Sequence, residues 1–339
     1  MKKWMHVLLS ATLLLGVTAC GGGGNEDSSA ASNGSQQEQQ TKEPLKVTLP
    51  TWTGYGPLFI AKEKGFFEKH GVDVELSIIE GLAERKQALA GGKLDGMATA
   101  LDVQTTLASS GVPMEVVWIL DDSYGGDGIL VKNDINSAAD LKGKQVAFEF
   151  GSTSHLLLLS ALKQAGLTDK DVEMVQMSAG DAGAAFTAGK VDAAVTWEPW
   201  LSKGANANGK VLLTTKDLPG IIVDTVGFRK EIVDQRPDEI KAFVAAMADA
   251  MNYWKENEQD AVSIMAKGLN IDEKEFTGTA SGLKFFNLDE NKKSFGTADN
   301  KGPIYQSTQN DIDFYLEQKI IDSAPSAEEI INPTFVQGL

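Results

Sequence analysis

The chain has 339 residues, 42% hydrophobic and 23% charged, with a single cysteine and a formal charge of −16. That length accommodates two globular domains, and one cysteine excludes both a disulfide scaffold and a multi-cysteine metal site. With 47 acidic residues against 31 basic ones, the chain repels phosphate backbones, which argues against nucleic acid as a partner.

In chain order, Lys2 and Lys3 precede an apolar run from Val7 to Val17 and the small residues Thr18 and Ala19. This predicts an export signal over residues 1–19, too short to span a bilayer. Val17-Thr18-Ala19-Cys20 resembles a bacterial lipobox, which implies lipidation of Cys20; an ordinary signal with an incidental cysteine is the plainer alternative. Gly21 to Pro44 contains no Val, Ile, Leu, Phe, Trp or Tyr. Such a stretch buries too little apolar area to offset ordering entropy, so residues 20–44 are expected to be a tether. The expected location is extracytoplasmic and lipid-anchored.

From Leu45 the pattern becomes αβ. Lys46 to Leu49 reads as a strand, Leu58 to Glu68 as a helix, Val72 to Leu76 as a strand, Glu84 to Ala90 as a helix and Asp95 to Ala100 as a buried strand. The same order returns about 97 residues later, and Gly189-Lys190-Val191-Asp192 repeats Gly92-Lys93-Leu94-Asp95. A period this long is a duplicated βαβ unit rather than a solenoid repeat. Asp224 to Phe228 then reads as a strand, and Asp238 to Lys255 and Asp311 to Lys319 as helices. Two such lobes place their strand ends at a shared crevice, a default location for a small-molecule site.

Trp52-Thr53-Gly54-Tyr55-Gly56-Pro57-Leu58, Ala61-Lys62-Glu63-Lys64-Gly65-Phe66-Phe67 and Asp192-Ala193-Ala194-Val195-Thr196-Trp197-Glu198-Pro199-Trp200 resemble the ABC-importer solute-binding proteins of the nitrate/sulfonate/taurine family. The resemblance is strong over residues 45–255. It implies an α/β fold of the periplasmic-binding-protein type II: two Rossmann-like lobes joined by two crossover strands around a central cleft. Lobe one would comprise 45–126 and 226–339, and lobe two 127–225. It also implies ABC permease and ATPase partners for a monomeric, non-enzymatic binding protein without cofactor or metal.

The resemblance further places candidate solute contacts on the loops after corresponding strands. These are Trp52, Gly54, Tyr55, Thr99 and Asp102 in lobe one, and Asp121, Ser123 and Tyr124 at the first crossing. Glu149, Ser152, Thr153, Thr196, Trp197 and Glu198 follow in lobe two, with Asp224 at the return. Plainer roles compete at several positions. Ser152 or Thr153 serves equally as a helix cap, Glu149 and Glu198 as structural acceptors, His155 as a packed histidine, and Asp95 and Asp192 as turn-fixing residues. These candidates carry several carboxylates and no base, Arg85 and Lys86 being the nearest cations. Two like charges about 4 Å apart cost on the order of 4 kcal/mol at a surface-like dielectric. The expectation is therefore a small organic cation or amide-like solute, such as guanidinium, held by carboxylates and aromatic faces. Ser154-His155-Leu156-Leu157 with Asp127-Gly128-Ile129 is also similar to a family branch linked to urea carboxylase regions, which implies guanidinium-like solutes. A sulfonate, taurine or nitrate on N–H groups is the alternative.

Two other functions fit the same fold. One is an enzyme resembling the thiamine-pyrimidine synthase, although no Ser/His/Asp order and no metal-ligand spacing is present. The other is a sensor that presents its solute to a receptor instead of a permease.

Overall fold

The computed structural model describes residues 43–297 and 299–339; the expected export signal, Cys20 and the tether as far as residue 42 lie outside the described residues. Short aliphatic runs form eleven strands among the described residues. Four open the first sheet: β1 (Leu45–Leu49), β2 (Val74–Ile78), β3 (Gly96–Ala100) and β4 (Met114–Ser123). The next five form the second sheet: β5 (Asp127–Val131), β6 (Gln145–Phe148), β7 (Glu173–Gln176), β8 (Ala193–Trp197) and β9 (Lys210–Thr214). The chain then returns to the first sheet with β10 (Val223–Arg229) and β11 (Leu283–Phe285).

The two sheets share one plan. The first runs β2-β1-β3-β10-β4-β11 and the second β7-β6-β8-β5-β9. In each, three parallel strands from a βαβαβ unit are followed by antiparallel ones. The duplicated Gly-Lys-x-Asp segments explain part of this identity. Asp95 receives the Lys46 N–H on its carboxylate at 2.9 Å and donates its own N–H to the Lys46 carbonyl at 2.8 Å. Asp192 does the same with Gln145, at 3.1 Å in both directions. Each aspartate thereby fixes the first strand of its unit against the third.

Element limits differ modestly from the sequence reading. The helix expected over 58–68 is two, Gly56–Glu63 and Phe66–Lys69, because Gly65 adopts φ +66° between them. Gly65 tolerates that left-handed conformation without a Cβ clash. The second strand of the first unit starts two residues later than expected, at Val74.

The last third of the chain packs on the first sheet. Helix Pro237–Glu256 buries Ile240, Phe243, Val244 and Met247, one stripe at helical spacing. Phe243 stacks on Phe67 at 5.2 Å and meets Phe228 of β10 edge-on at 5.1 Å. The second lobe has its own core around Ile129, Val146, Phe148, Leu158 and Val195.

Removing either strand-fixing carboxylate leaves a backbone N–H without its acceptor, a loss of about 1–3 kcal/mol. Asp192→Ala is expected to lower the thermal midpoint by several degrees and Asp192→Asn by less. Calorimetry of both variants checks this, and an unchanged midpoint for Asp192→Ala contradicts the clamp.

Candidate functional site

Strand ends from both sheets converge on a shut cleft. Pro50, Trp52 and Tyr55 follow β1, Thr99 and Ala100 end β3, and Arg85 and Val103 reach in from the helices Leu82–Ala90 and Leu101–Ser109. Across from them stand Asp127 at the start of β5, Ser152 and Thr153 at the head of helix Thr153–Gln164, and Trp197 at the end of β8, with Ile222 and Asp224 at the return into β10. The enclosed space is about 20 Å³, room for the centres of only one or two water-sized groups.

Seven of the expected residues therefore line one cavity: Trp52, Tyr55, Thr99, Ser152, Thr153, Trp197 and Asp224. The other eight lie off it. Gly54 is pressed against Asp121, where a Cβ would come within 1.8 Å of Oδ2. Asp121 is fully buried and accepts the Trp52 indole N–H at 3.3 Å, so it braces a wall residue. Asp102 accepts the Tyr315 hydroxyl at 2.6 Å, and Ser123 donates to Asp127 at 2.6 Å. Tyr124 is 50% exposed. Thr196 donates to the Ala179 carbonyl at 2.8 Å, and Glu198 takes the Ser202 hydroxyl and N–H. Glu149 accepts the Leu82 N–H at 2.9 Å. Among the residues given plainer roles, His155 is buried between Phe148 and Phe150, and burial pushes its pKa down to about 4. Ser152 caps its helix through the Ser154 N–H while also lining the cavity.

One expectation is corrected outright. The site does contain a base: Arg85 lines the cavity and is only 2% exposed. It comes from a helix rather than from a loop after a strand, which is why a search along strand ends passes it by. The signal was present all the same, since Leu82, Arg85 and Leu89 form one buried stripe of that helix. Its Nη1 reaches only the Met97 sulfur at 3.4 Å, and its Nε meets no acceptor.

The carboxylates around it are poorly hydrated. Burial, then the charges of Asp121 and Asp127, hold the Asp224 pKa well above the ordinary range, although the Tyr55 hydroxyl donates to it. Burial likewise raises Asp121 well above that range and takes Asp127 up to about 7 and Asp102 to about 6. An arginine keeps its proton in such surroundings, whereas burial pushes each of these acids toward its neutral form. Lys86, next to Arg85, is brought down to about 8 by burial and donates to Thr106 at 3.1 Å. Among the described residues, no group of three or more His, Cys, Asp or Glu side chains is placed to hold a metal ion.

Hydrogen bonds between the lobes close the cleft. Besides Glu149 to Leu82, the Trp197 indole donates to the Thr51 carbonyl at 3.1 Å and Lys86 to the Gly151 carbonyl at 3.4 Å. Glu149 puts a carboxylate at the N-terminus of helix Leu82–Ala90, where the helix dipole favours negative charge.

A model of the NMT1-like family matches residues 38–270. The chain belongs to the NMT1-like family. It is 26% identical to the taurine-binding periplasmic protein of Escherichia coli K12, covering 86% of this chain and 93% of that one. It is 27% identical to a putative aliphatic sulfonates-binding protein of Bacillus subtilis, covering 83% and 84% respectively. The crystal structure of the periplasmic nitrate-binding protein NrtA from Synechocystis PCC 6803 superposes with a TM-score of 0.70 at 22% identity, covering 87% of each chain. That likeness carries the fold, the two-lobed type II arrangement described above. These relatives are named as binding proteins, and this NMT1-like protein is a solute-binding protein of the nitrate/sulfonate/taurine group rather than an enzyme.

Asp127 makes the family member's stability depend on pH in a defined direction. Its folded-state pKa of about 7 lies above the unfolded value near 4, so the unfolded chain gives up this proton first. Stability thus falls as pH rises from about 4 through 7, by on the order of 4 kcal/mol for this group. Asp127→Asn is expected to melt several degrees above wild type at pH 8, with the gap closing toward pH 4. Scanning calorimetry across that range checks it; equal midpoints at pH 8 would contradict the buried-acid assignment.

Proposed function

We propose that this protein is the extracytoplasmic solute-binding component of an ABC importer, and that its solute is a small oxyanion of the sulfonate or nitrate class held by Arg85. The observation that carries this reading is the buried guanidinium with an unpartnered Nε in the strand-end cavity. A charge removed from water without a partner is costly, and a planar guanidinium matches the oxygen pair of a sulfonate or nitrate. Ser152 and Thr153 bring the head of helix Thr153–Gln164 to the same space, a favourable place for an anion. The taurine, sulfonate and nitrate named for the relatives support the same class.

The repulsion that argued for a cation assumed ionised carboxylates. With Asp127 near 7, that group carries a proton at mildly acid pH and becomes a donor to an anion, and burial pushes Asp224 in the same direction. In this reading the lobes, 45–126 with 226–339 and 127–225, close about the two crossings, and a lipid at Cys20 anchors the monomer beside its permease.

A second reading is favoured by a separate observation. Asp127 and Asp224 stand beside Trp52, Tyr55 and Trp197 around very little space, a setting that also suits guanidinium. The two readings predict opposite responses to pH. As Asp127 ionises above about 7, an oxyanion is bound more weakly and a cation more tightly.

Calorimetric titration with taurine, methanesulfonate, nitrate and guanidinium at pH 6 and pH 8 separates them. The expected result is an oxyanion that binds about tenfold more weakly at pH 8 and at least about a hundredfold more weakly to Arg85→Met, the loss of about 3 kcal/mol for a charge-assisted pair. Guanidinium binding that tightens with pH and survives Arg85→Met overturns the oxyanion reading.

A further inference from the structure

A second groove of about 390 Å³ lies between the lobes and shares no lining residue with the strand-end cavity. Leu156 and Ser160, on helix Thr153–Gln164, form one wall, and Asp311 and Phe314, on helix Pro303–Glu317, form another. The segment 217–221, leading into β10, supplies the remainder. Two of the residues lining this groove are carboxylates, Asp217 and Asp311, and none is basic.

Asp311 is the unusual member. It is 8% exposed, its carboxyl meets no hydrogen-bond donor or cation among the described residues, and burial together with the neighbouring Asp102 holds its pKa well above the usual carboxylate range. Asp217, by contrast, is exposed and occupied in capping, where it accepts the Thr214 N–H at 2.9 Å. The nearest lysine on the facing helix, Lys163, is already paired with Glu317 at 2.8 Å. A carboxyl nine-tenths removed from water is ordinarily paired or hydrogen-bonded. Here it lines a groove whose other residues, the exposed Asp217 apart, are apolar or neutral, Phe314 and Leu156 among them.

We propose that this groove is a second ligand site, taking a small primary alkyl- or arylalkylammonium whose charge pairs with Asp311 and whose tail packs on Leu156 and Phe314. Charge selects the headgroup: an ammonium supplies the counter-charge that lets Asp311 ionise beside Asp102, whereas an anion supplies none and a neutral alcohol offers no more than a hydrogen bond. Shape selects the tail, because the apolar wall begins one helical turn from the carboxyl on the same helix as Asp311. Nothing in this site depends on which solute occupies the strand-end cavity.

The test is calorimetric titration of phenethylammonium chloride into the full chain at pH 7, with 2-phenylethanol as the uncharged counterpart. Saturable one-to-one binding of the ammonium is expected, at least tenfold tighter than the alcohol. Asp311→Asn should weaken it at least tenfold. Ser160→Lys, which sets an ammonium of its own in the groove from a half-buried wall position, should abolish it, and carries the test by itself if Asp311→Asn fails to fold. Absence of saturable binding to wild type, equal affinity for the alcohol, or unchanged affinity in Ser160→Lys each overturns the proposal. So does binding that is lost in Asp127→Asn and kept in Asp311→Asn, which would place the cation in the strand-end cavity. None of these failures bears on the oxyanion reading, whose own variant is Arg85→Met.

Discussion

The antiparallel pairing of β4 with β10 is the constraint from which the rest of the molecule follows. β4 carries the chain out of the first sheet, β10 brings it back, and their register sets Asp224 opposite Asp121. Two separate passages between the lobes are thus zipped into one seam. Because Asp127 follows β4 by only a few residues, a third carboxyl is delivered to the same place. Strands at the middle of a sheet are shielded on both faces, so these acids are drawn away from water by topology rather than by any partner of opposite charge.

The consequences are electrostatic. Desolvation acts on the charged form of each group, so carboxyls are pushed toward neutrality while the guanidinium of Arg85, with its far higher intrinsic basicity, stays protonated. A tally of charges in the sequence therefore overstates the negative charge of the cavity. Hydrogen bonds hold each acid in place without neutralising it: Tyr55 on Asp224, Trp52 on Asp121, Ser123 on Asp127 and Tyr315 on Asp102. The aromatic residues of the Trp-Thr-Gly-Tyr segment thus act through their polar tips as well as through their faces. Gly54 between them is required for a plainer reason, since any side chain there would occupy the space of the Asp121 carboxyl.

Much of the architecture could be read from residues alone because the duplication carries physical content. Gly-Lys-x-Asp recurs where an aspartate must take the N–H of the first strand, and the Asp95 and Asp192 bonds are the structural counterpart of the sequence match. The parallel order of each unit and the return to the first sheet follow from the alternation of strand and helix. Within the site, residues at strand ends were found because open α/β sheets present their ligands there. Arg85 was not, since its position is set by the rotation of a helix about its axis, and only its place on the Leu82–Leu89 stripe betrays it. Tyr124 and Glu198 neighbour wall residues in sequence, but the local backbone turns one outward to solvent and the other back onto Ser202. Backbone alternation decides such cases, and it is invisible until the register of β4 and β8 is known.

The bond from Leu82 to Glu149 has a thermodynamic meaning beyond its geometry. One lobe supplies the cap for a helix that belongs to the other, so the end of that helix is stable only while the two lobes meet. Any separation of the lobes strips the helix of its terminal carboxylate and leaves the Leu82 N–H without its acceptor. Shutting the cleft and finishing the helix are therefore a single event.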